Sequence, residues 1–311
     1  METKPYMKTG RSVSRLGFGG WPLGNTAHGH TMSIEEGVSL VREAYRQGIT
    51  FFDTAPNYAN GRSETILGEA LKGIRNNVVI NTKFGHHPDG RIDFSETLIR
   101  SSVEGSLKRL QTDYLDSVIL HNPPHDVLKN KTDHFNELEA LKREGILNGY
   151  GVSVDTPDEL SMVLEYLNVD VVEILFNIFS QQNRVHFEQL QRRGISIIVK
   201  VPLDSGWLSG KYSKDDAFTD IRSRWSESDL KRRHDLVEEL KKRLDENGSL
   251  IPYAIGYVLS YDAITTVIPG IRTVDQLKEH LHASKTQLTP QRLKDLEAFY
   301  HQFIENAPLP W

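Results

Sequence analysis

The stretch Thr50-Phe51-Phe52-Asp53-Thr54-Ala55-Pro56-Asn57-Tyr58 combines an apolar segment, a carboxylate and a loop. Its first residues are β-branched or aromatic, which favours a short buried strand that ends at Asp53. Pro56 and Asn57 break that strand, and Tyr58 lies in the loop that they begin. On this stretch alone, Asp53 either caps a turn beneath Tyr58 or belongs to a reactive site. The remaining strands bear on that choice.

Similar strands alternate with amphipathic helices along the chain. The segments that predict strands are 16–21, 50–53, 78–81, 115–120, 149–154, 171–176, 196–201 and 264–268. Helix starts are predicted at Ser33-x-x-Glu36, Ser63, Ser95, Thr156-Pro157-x-Glu159, Thr273-x-x-Gln276 and Thr289-Pro290. Strand–helix alternation is typical of a parallel sheet, and eight such units favour a closed (β/α)8 TIM barrel, with a doubly wound sheet as the alternative.

Additions to the barrel are predicted at both ends of the chain. Residues 6–13, around Thr9-Gly10, predict an N-terminal hairpin. Two helices, about 229–246 and 250–259, precede the eighth strand, and a further helix follows Pro290. We expect residues 1–311 to form a single α/β barrel domain with extra C-terminal helices.

Composition excludes several classes of function. The 311 residues include no cysteine, which excludes disulfides, thiolate metal sites and cysteine nucleophiles and favours a reducing compartment. The formal net charge of -5 argues against a nucleic-acid surface. No apolar run approaches the roughly 20 residues of a membrane span, and Met1-Glu2-Thr3-Lys4-Pro5 has no apolar signal core. We expect a cytoplasmic protein that binds neither nucleic acid nor membrane.

Two familiar motifs fail on inspection. Gly17-x-Gly19 begins a dinucleotide fingerprint, but Pro22 stands where its third glycine should be. His28-Gly29-His30 and His86-His87 each lack a third metal ligand at useful spacing, so solvated loops are the favoured interpretation and no metal is predicted. His86 follows closely after Lys83 and is a candidate to line a substrate pocket.

Polar residues stand at the carboxyl ends of successive predicted strands. A barrel of this kind carries its active site at those ends. Asp53 ends the second strand, Lys83 follows the third and His121 the fourth. Buried ionisable groups are costly unless they are paired, so we expect Lys83 to pair with Asp53. The lysine would then hold a positive charge beside the Tyr58 hydroxyl and lower its pKa from the usual value of about 10. Tyr58 would act as a general acid and His121 would orient a carbonyl oxygen.

These segments together resemble the aldo-keto reductase superfamily over nearly the whole chain. That family's tetrad of Asp, Tyr, Lys and His falls on Asp53, Tyr58, Lys83 and His121. The motifs that carry the resemblance are Phe52-Asp53-Thr54-Ala55, Gly61-Arg62-Ser63-Glu64, Gly151-Val152-Ser153, the segment Pro202–Lys211, and Ile268-Pro269-Gly270-Ile271-Arg272. The chain is similar to the bacterial branch that includes inositol-associated reductases and potassium-channel β-subunits.

The resemblance implies a nicotinamide cofactor, bound in extended form across the barrel mouth without a Rossmann domain. It implies Ser153, Glu173 and Asn177 near the nicotinamide, Leu203, Ser205, Gly206 and Leu208 around the pyrophosphate, and Gly270, Arg272, Gln276, Glu279 and His280 at the adenosine; Gly20, Trp21, Asp53, Lys200 and Lys211 complete the set. Arg272 suits the 2′-phosphate of NADPH (NADP+), because a guanidinium matches phosphate geometry, while NADH stays open. Trp21, Tyr58, Phe84 and His121 are predicted to line the substrate pocket.

The chain departs from many members of that family at four positions. Glu173 stands where many relatives have Gln, and Val154 where they have Asn. An ionised Glu accepts hydrogen bonds but cannot donate them, so carboxamide recognition is altered. Lys200 occupies a position that is often aromatic and is basic in part of the family, and His280 replaces an Asn. The departures leave the fold and reaction class intact and affect the cofactor contacts.

Three hypotheses follow. The first is an NADPH-dependent reductase of aldehydes and ketones, an oxidoreductase that acts on a small-molecule carbonyl substrate. The second is a cofactor-binding, redox-sensing regulatory subunit with weak turnover. The third is a barrel hydrolase that uses Asp53 and a second carboxylate, for which Glu173 is the one candidate. We expect the chain to fold as a monomer, because a barrel of this length can bury its own core, and an oligomer stays open.

Overall fold

A computed structural model of the protein describes residues 1–27, 30–214, 216–218 and 221–311, with the backbone alone for residue 221. The strands are β1 (Thr3–Tyr6), β2 (Arg11–Ser14), β3 (Phe18–Gly19), β4 (Thr26–Ala27), β5 (His30–Thr31), β6 (Phe51–Asp53), β7 (Val79–Phe84), β8 (Ser117–His121), β9 (Tyr150–Val154), β10 (Val171–Leu175), β11 (Ser196–Lys200) and β12 (Thr266–Val267). The α-helices are α1 (Ile34–Arg46), α2 (Arg62–Leu71), α3 (Ile99–Leu110), α4 (His125–Leu128), α5 (His134–Arg143), α6 (Pro157–Tyr166), α7 (Phe187–Arg193), α8 (Glu227–Leu244), α9 (Ile251–Leu259), α10 (Val274–Ala283) and α11 (Pro290–Phe303).

Eight parallel strands form one sheet in chain order, from β3 through β6 to β12. The two end strands meet. The Gly17 amide donates to the Val267 carbonyl at 2.8 Å, and the Gly19 amide donates to the Pro269 carbonyl at 3.0 Å. The sheet therefore closes on itself, and the predicted (β/α)8 barrel is confirmed. A doubly wound sheet would reverse its strand order at a switch point, which this sheet does not do.

The N-terminal hairpin closes the amino-terminal end of the barrel. β1 and β2 pair antiparallel, as predicted from the residues around Thr9-Gly10. Tyr6 and Val13 are fully buried in the hairpin. They belong to an interior cluster with Met7, with Ile268 just after β12, and with the inward-facing strand residues Phe51, Val79, Ile119, Val171 and Ile198. Because this end is plugged by apolar side chains, polar residues are left to the opposite, carboxyl-terminal end.

Some of the predicted helix starts agree with the structure and others do not. Complete capping boxes form at Ser33 with Glu36 and at Thr156 with Glu159. Thr273 caps α10, but the Gln276 side chain accepts a hydrogen bond from the Arg272 amide and does not complete a box. The predictions at 229–246, 250–259 and Thr289-Pro290 correspond to α8, α9 and α11.

One predicted helix start, at Ser63, is displaced by one residue, and the predicted cap at Ser95 is wrong. α2 begins at Arg62, after Gly61 turns the chain with a φ of 84°, a conformation that glycine adopts at little cost. The Ser63 hydroxyl donates to the Gly20 carbonyl at 2.8 Å instead of capping the helix. Ser95 makes no capping hydrogen bond, because a 3-10 turn, Glu96–Leu98, intervenes before α3.

Within the described residues, no helix combines the length and the apolar character that a membrane crossing requires. The described His, Asp and Glu side chains also form no group of three or more that could hold a metal ion. Of the predicted loop His28-Gly29-His30, the first two residues lie outside the described part of the chain.

Candidate active site

A buried ion pair joins the ends of two neighbouring barrel strands, β6 and β7. Lys83 Nζ donates to the two carboxylate oxygens of Asp53 at 2.6 and 2.7 Å and to the Thr54 carbonyl at 3.0 Å. Glu173, on β10, places Oε2 3.3 Å from the same ammonium nitrogen. The three charged side chains are at most 3% exposed. The structure therefore shows the expected Asp53–Lys83 pair, together with a second carboxylate.

The two carboxylates control the protonation of the lysine. Burial by itself lowers the pKa of Lys83, but the negative charges of Asp53 and Glu173 outweigh burial and raise that pKa above its ordinary value. Burial also raises the pKa of Asp53, to about 7. The Lys83 charge offsets only part of this increase, and the Glu173 charge adds to it. Lys83 is thus a firmly held cation at neutral pH.

Tyr58 lies in the turn after β6, half-buried beside this cation. Lys83 Nζ is 5.2 Å from the centroid of the Tyr58 ring. Burial raises the pKa of Tyr58 above its ordinary value, and the nearby Lys83 lowers it by less than burial raises it. The sequence-based prediction of a lowered phenol pKa is therefore wrong, because it omitted burial and the two carboxylates. Tyr58 carries its proton at neutral pH, which is the charge state of a proton donor.

His121 ends β8 beside Tyr58. The two rings meet edge to face, with 6.1 Å between their centroids, and the His121 ring stacks on His86 at 4.3 Å. Burial, followed by the Lys83 charge, lowers the pKa of His121 well below its ordinary value, so the imidazole is neutral at neutral pH. Its buried Nδ1 has no hydrogen-bond partner among the described residues. A neutral imidazole of this kind can orient a polar ligand atom.

A second polar network continues from Glu173 to the end of β11. The Ser153 hydroxyl donates to Glu173 Oε1 at 3.2 Å, and Lys200 Nζ donates to Ser153 Oγ at 2.8 Å. The same ammonium nitrogen is 2.7 Å from Asp155 Oδ1 and 3.0 Å from Asn122 Oδ1. The two cations, Lys83 and Lys200, therefore alternate with three carboxylates, those of Asp53, Glu173 and Asp155, in one connected group.

The segment after β11 has left-handed backbone at four residues, and two of its amides are already engaged: that of Asp204 donates to the Val201 carbonyl at 3.1 Å and that of Gly206 to the Leu203 carbonyl at 2.8 Å. Val201, Asp204, Ser205 and Gly206 have φ angles of 54°, 45°, 53° and 94°. Backbone in such conformations can form a concave group of N–H donors that suits phosphate. The Arg222 guanidinium adds positive charge there, because its Nε donates to the Ser205 carbonyl at 2.8 Å. The residues predicted to surround the pyrophosphate lie in this segment. Among the predicted cofactor residues of this segment, Leu208 is fully buried and its amide donates to the Leu203 carbonyl at 3.0 Å, so it offers no group to a ligand, contrary to the prediction; Leu203 is half-buried and Lys211 is exposed.

Arg272 ties the segment after β12 to the loop that follows β3. Its guanidinium donates to the carbonyls of Asn25 at 2.8 Å and His30 at 2.7 Å. Gly270 is exposed beside it, so the start of α10 is accessible to a ligand.

The remaining residues predicted around the adenosine differ in accessibility. Gln276 is half-buried, and Glu279 is exposed and accepts a hydrogen bond from Ser249 at 2.9 Å. His280 is only 2% exposed, and burial lowers its pKa to about 4. It therefore offers little surface to a ligand, contrary to the prediction, because α10 turns it toward the core.

Three further predicted residues take distinct positions. Gly20 is required, because a Cβ there would lie 2.4 Å from the Asp53 carbonyl. Trp21, next to it, is 46% exposed and can contact a substrate. The Asn177 side chain donates to the Val201 carbonyl at 2.9 Å and accepts from the Phe179 amide at 2.8 Å, which holds the start of the segment after β11 in place.

Phe84 does not line a pocket. It is fully buried and packs edge-on against Phe94 and His87, with ring centroids 6.1 and 6.0 Å away. Neighbouring residues of a strand point to opposite faces, so an inward Lys83 sends Phe84 outward beneath the helices. Its burial contradicts the prediction of a substrate contact, and the alternation of the strand would have revealed this.

Several site residues were missed. Asn81 and Ser117 form hydrogen bonds that lead to Asp53, and Asn122 and Asp155 hold Lys200. One signal was present in the sequence: Asn81-Thr82-Lys83 is a polar run within a strand that is buried along its whole length. Val154, by contrast, is fully buried in the layer between sheet and helices.

Comparisons with known proteins agree with this geometry. A family model described as the aldo/keto reductase family matches residues 15–301. The chain is 29% identical over 323 residues to a probable voltage-gated potassium channel subunit beta of Oryza sativa subsp. japonica, covering 96% of each chain. It is 27% identical over 312 residues to an NADH-specific methylglyoxal reductase of Escherichia coli, covering 93% of this chain and 95% of that protein. An aldo-keto reductase of Bacillus halodurans, solved in its holo form, superposes with a TM-score of 0.82 at 27% identity, covering 96% of each chain.

Proposed function

The chain belongs to the aldo/keto reductase family, whose members are nicotinamide-dependent oxidoreductases of carbonyl compounds, and on that premise we propose that it reduces aldehydes or ketones to alcohols with NADPH. The observation that carries the proposal is the buried ammonium of Lys83 beside Tyr58, held by Asp53 at 2.6 Å. This arrangement joins a protonated phenol to a fixed positive charge at the carboxyl end of the barrel, where such folds carry their active sites.

In this mechanism each residue has one task. The bound cofactor supplies the hydride that reduces the carbonyl carbon. Tyr58 gives its proton to the carbonyl oxygen as the alcohol forms, and the Lys83 ammonium stabilises the phenolate that remains. Asp53 holds Lys83 in place. The neutral His121 imidazole donates a hydrogen bond to the same oxygen and so fixes the direction of the substrate.

Several residues would hold the cofactor. The backbone of residues 201–206 suits the pyrophosphate, because left-handed backbone of this kind can form a concave group of N–H donors. Ser153, Glu173 and Lys200 would face the nicotinamide. Arg272 precedes the N-terminus of α10, where an anion is favoured, and its guanidinium suits the 2′-phosphate that distinguishes NADPH from NADH. The Escherichia coli relative is named as NADH-specific, so the titrations compare NADH with NADPH.

A regulatory role is the second candidate. It is favoured by the similarity to a protein named as a potassium channel subunit beta. In that case the same site would bind the cofactor and turn over slowly, and a partner protein would respond to its redox state.

Two measurements on the purified protein separate the candidates. NADPH binding is titrated by fluorescence, and NADPH oxidation is followed by absorbance over a panel of aliphatic, aromatic and α-dicarbonyl substrates. Turnover with at least one carbonyl class at about 1 s⁻¹ or faster, a typical enzymatic rate, supports the reductase. Tight NADPH binding without oxidation across the panel contradicts it and favours the regulatory subunit. Binding of neither NADPH nor NADH overturns both.

A further inference from the structure

A row of buried hydrogen bonds connects the N-terminal hairpin, formed by β1 and β2, to the Asp53 carboxylate. The Tyr6 hydroxyl lies 2.6 Å from Ser117 Oγ, which donates to Asn81 Oδ1 at 2.6 Å. Asn81 Nδ2 then donates to Asp53 Oδ1 at 2.8 Å. Asp53 is 2% exposed and the other three residues are fully buried, so water has no access to replace a lost bond. The row starts at the closed end of the barrel and ends in the candidate active site.

The row follows from strand register. Asp53 on β6 pairs with Asn81 on β7, and Asn81 pairs with Ser117 on β8. Paired residues of neighbouring strands present their side chains on the same face, here the barrel interior. Tyr6 reaches the end of this row from β1, where it also packs edge-on against Phe51, 5.3 Å between ring centroids.

Each donor in the row points toward the carboxylate. Ser117 has one hydroxyl hydrogen and gives it to Asn81, so the Tyr6 hydroxyl must donate to Ser117. The reverse orientation of the Asn81 amide would set its oxygen against Asp53 Oδ1, with two acceptors 2.8 Å apart. Hydrogen bonds aligned in this way polarise one another and strengthen the last donor.

We propose that Asn81, itself held by Ser117 and Tyr6, is a positioning residue that holds the Asp53 carboxyl group against Lys83 and favours its ionised form. Asp53 Oδ1 receives both Asn81 Nδ2 at 2.8 Å and Lys83 Nζ at 2.6 Å, so the amide sets the rotation of the carboxylate from the side opposite the site. The consequence for catalysis rests on the proposed function, whereas the effect on Asp53 itself does not.

A purely structural role is the alternative. The row would then stabilise the barrel without affecting the ionisation of Asp53. The titratable groups that face Asp53 are Lys83 from β7, Glu173 from β10 and Tyr58 from the turn after β6, with Tyr6 more distant on β1. Tyr6 loses its Ser117 partner in Ser117→Ala, whereas Asn81→Leu replaces no titratable group and no partner of one other than Asp53. A change in the titration of Asp53 in Asn81→Leu therefore reports on the Asn81 hydrogen bond.

The experiment is a titration of Asp53 by NMR in protein with ¹³C-labelled aspartate carboxyl groups. The Asp53 resonance is assigned by its loss in Asp53→Asn. The variants are Asn81→Leu, of similar shape, and Ser117→Ala. Thr82→Val is the matched control, because the Thr82 hydroxyl makes an equally buried bond to Glu64 at 2.7 Å on the other face of the same strand.

We expect Asn81→Leu to raise the pKa of Asp53 by about one or more, the size expected for losing a hydrogen bond to a charged group. Ser117→Ala should raise it less, since the Asn81 amide stays in place but loses its support. Thr82→Val should leave it unchanged. An unchanged Asp53 titration in Asn81→Leu overturns the proposal, as does an equal shift in Thr82→Val. If Asn81→Leu does not fold, the Asp53 titration in Ser117→Ala decides. A raised pKa of Asp53 supports the proposal, and an unchanged or lowered pKa overturns it.

A second readout connects the row to catalysis. The pH profile of carbonyl reduction should move upward in Asn81→Leu with the Asp53 titration and stay in place in Thr82→Val. A profile that stays in place while the NMR titration moves contradicts the role in catalysis. If the parent reduces no carbonyl compound, the proposed function fails, and the NMR titration still tests Asn81 because it needs neither cofactor nor substrate.

Discussion

Replacing Lys83 with methionine removes the cation between two buried carboxylates. In the parent, Nζ lies 2.6 and 2.7 Å from Asp53 and 3.3 Å from Glu173, with all three side chains at most 3% exposed. At an effective dielectric constant of about 20, one such contact is worth about 6 kcal/mol of attraction. Part of that is recovered by proton uptake, so we expect a loss of about 3–5 kcal/mol in the free energy of unfolding at alkaline pH.

The loss should depend on pH. A carboxyl group whose pKa is raised on folding contributes stability at low pH and loses it as the pH rises through the folded-state value. For Asp53 that window runs from about 4, its unfolded value, to about 7 in the parent. Without Lys83 the folded-state pKa lies higher, so the window extends upward. The difference between parent and variant should therefore be large at about pH 8.5 and less than half as large at about pH 5.5.

The assay is urea unfolding at both pH values, followed by tryptophan fluorescence. Lys142→Met is the control, since Lys142 pairs with Asp170 at 2.7 Å where the side chains are 32% and 22% exposed, and such pairs contribute about 0–1 kcal/mol. Asp53→Asn in the Lys83→Met background should restore much of the loss at alkaline pH. A variant within about 1 kcal/mol of the parent at pH 8.5, or an equal loss at both pH values, would refute the reasoning.

Three further predictions concern the cofactor and assembly. Arg272→Ala should narrow the preference for NADPH over NADH in fluorescence titrations, and equal affinities in the parent would contradict the role of Arg272. Gly206→Ala should weaken NADPH binding, because φ is 94° and a Cβ would lie 3.1 Å from Arg222 and Tyr212; Gly90→Ala, with a φ of 83° and open space around it, is the control and should bind as the parent does. The chain should sediment as a monomer at about micromolar concentration, and an obligate oligomer would rule this out.

The barrel and the ends of its strands could be predicted because both follow from local pattern. Each strand is a short apolar run, and the polar residue that ends it, such as Asp53 or Lys83, breaks that run visibly. The order of strands in the sheet follows the order in the chain, so residues that end successive strands become neighbours. These two features, the polar strand ends and the strand order, are sufficient to predict the Asp53–Lys83 pair.

Properties that depend on burial or register could not be predicted in the same way. Whether the pKa of Tyr58 is raised or lowered depends on how deeply the side chain is buried, and the sequence does not show that. The row from Asn81 to Tyr6 requires the pairing register of three strands and the position of the hairpin. His280 lies on α10 at a position that the family motif suggests is accessible, and only packing shows that it is buried.

The role of Tyr58 as proton donor is tested most directly by single-turnover oxidation of NADPH with a carbonyl substrate in Tyr58→Phe. The substitution removes one hydroxyl and keeps the half-buried ring beside Lys83 and His121. General acid catalysis contributes about 10²–10⁴-fold, so the rate should fall by at least about 100-fold while NADPH affinity stays within about twofold of the parent. Reduction by Tyr58→Phe as fast as by the parent would contradict the assignment of Tyr58 as the proton donor.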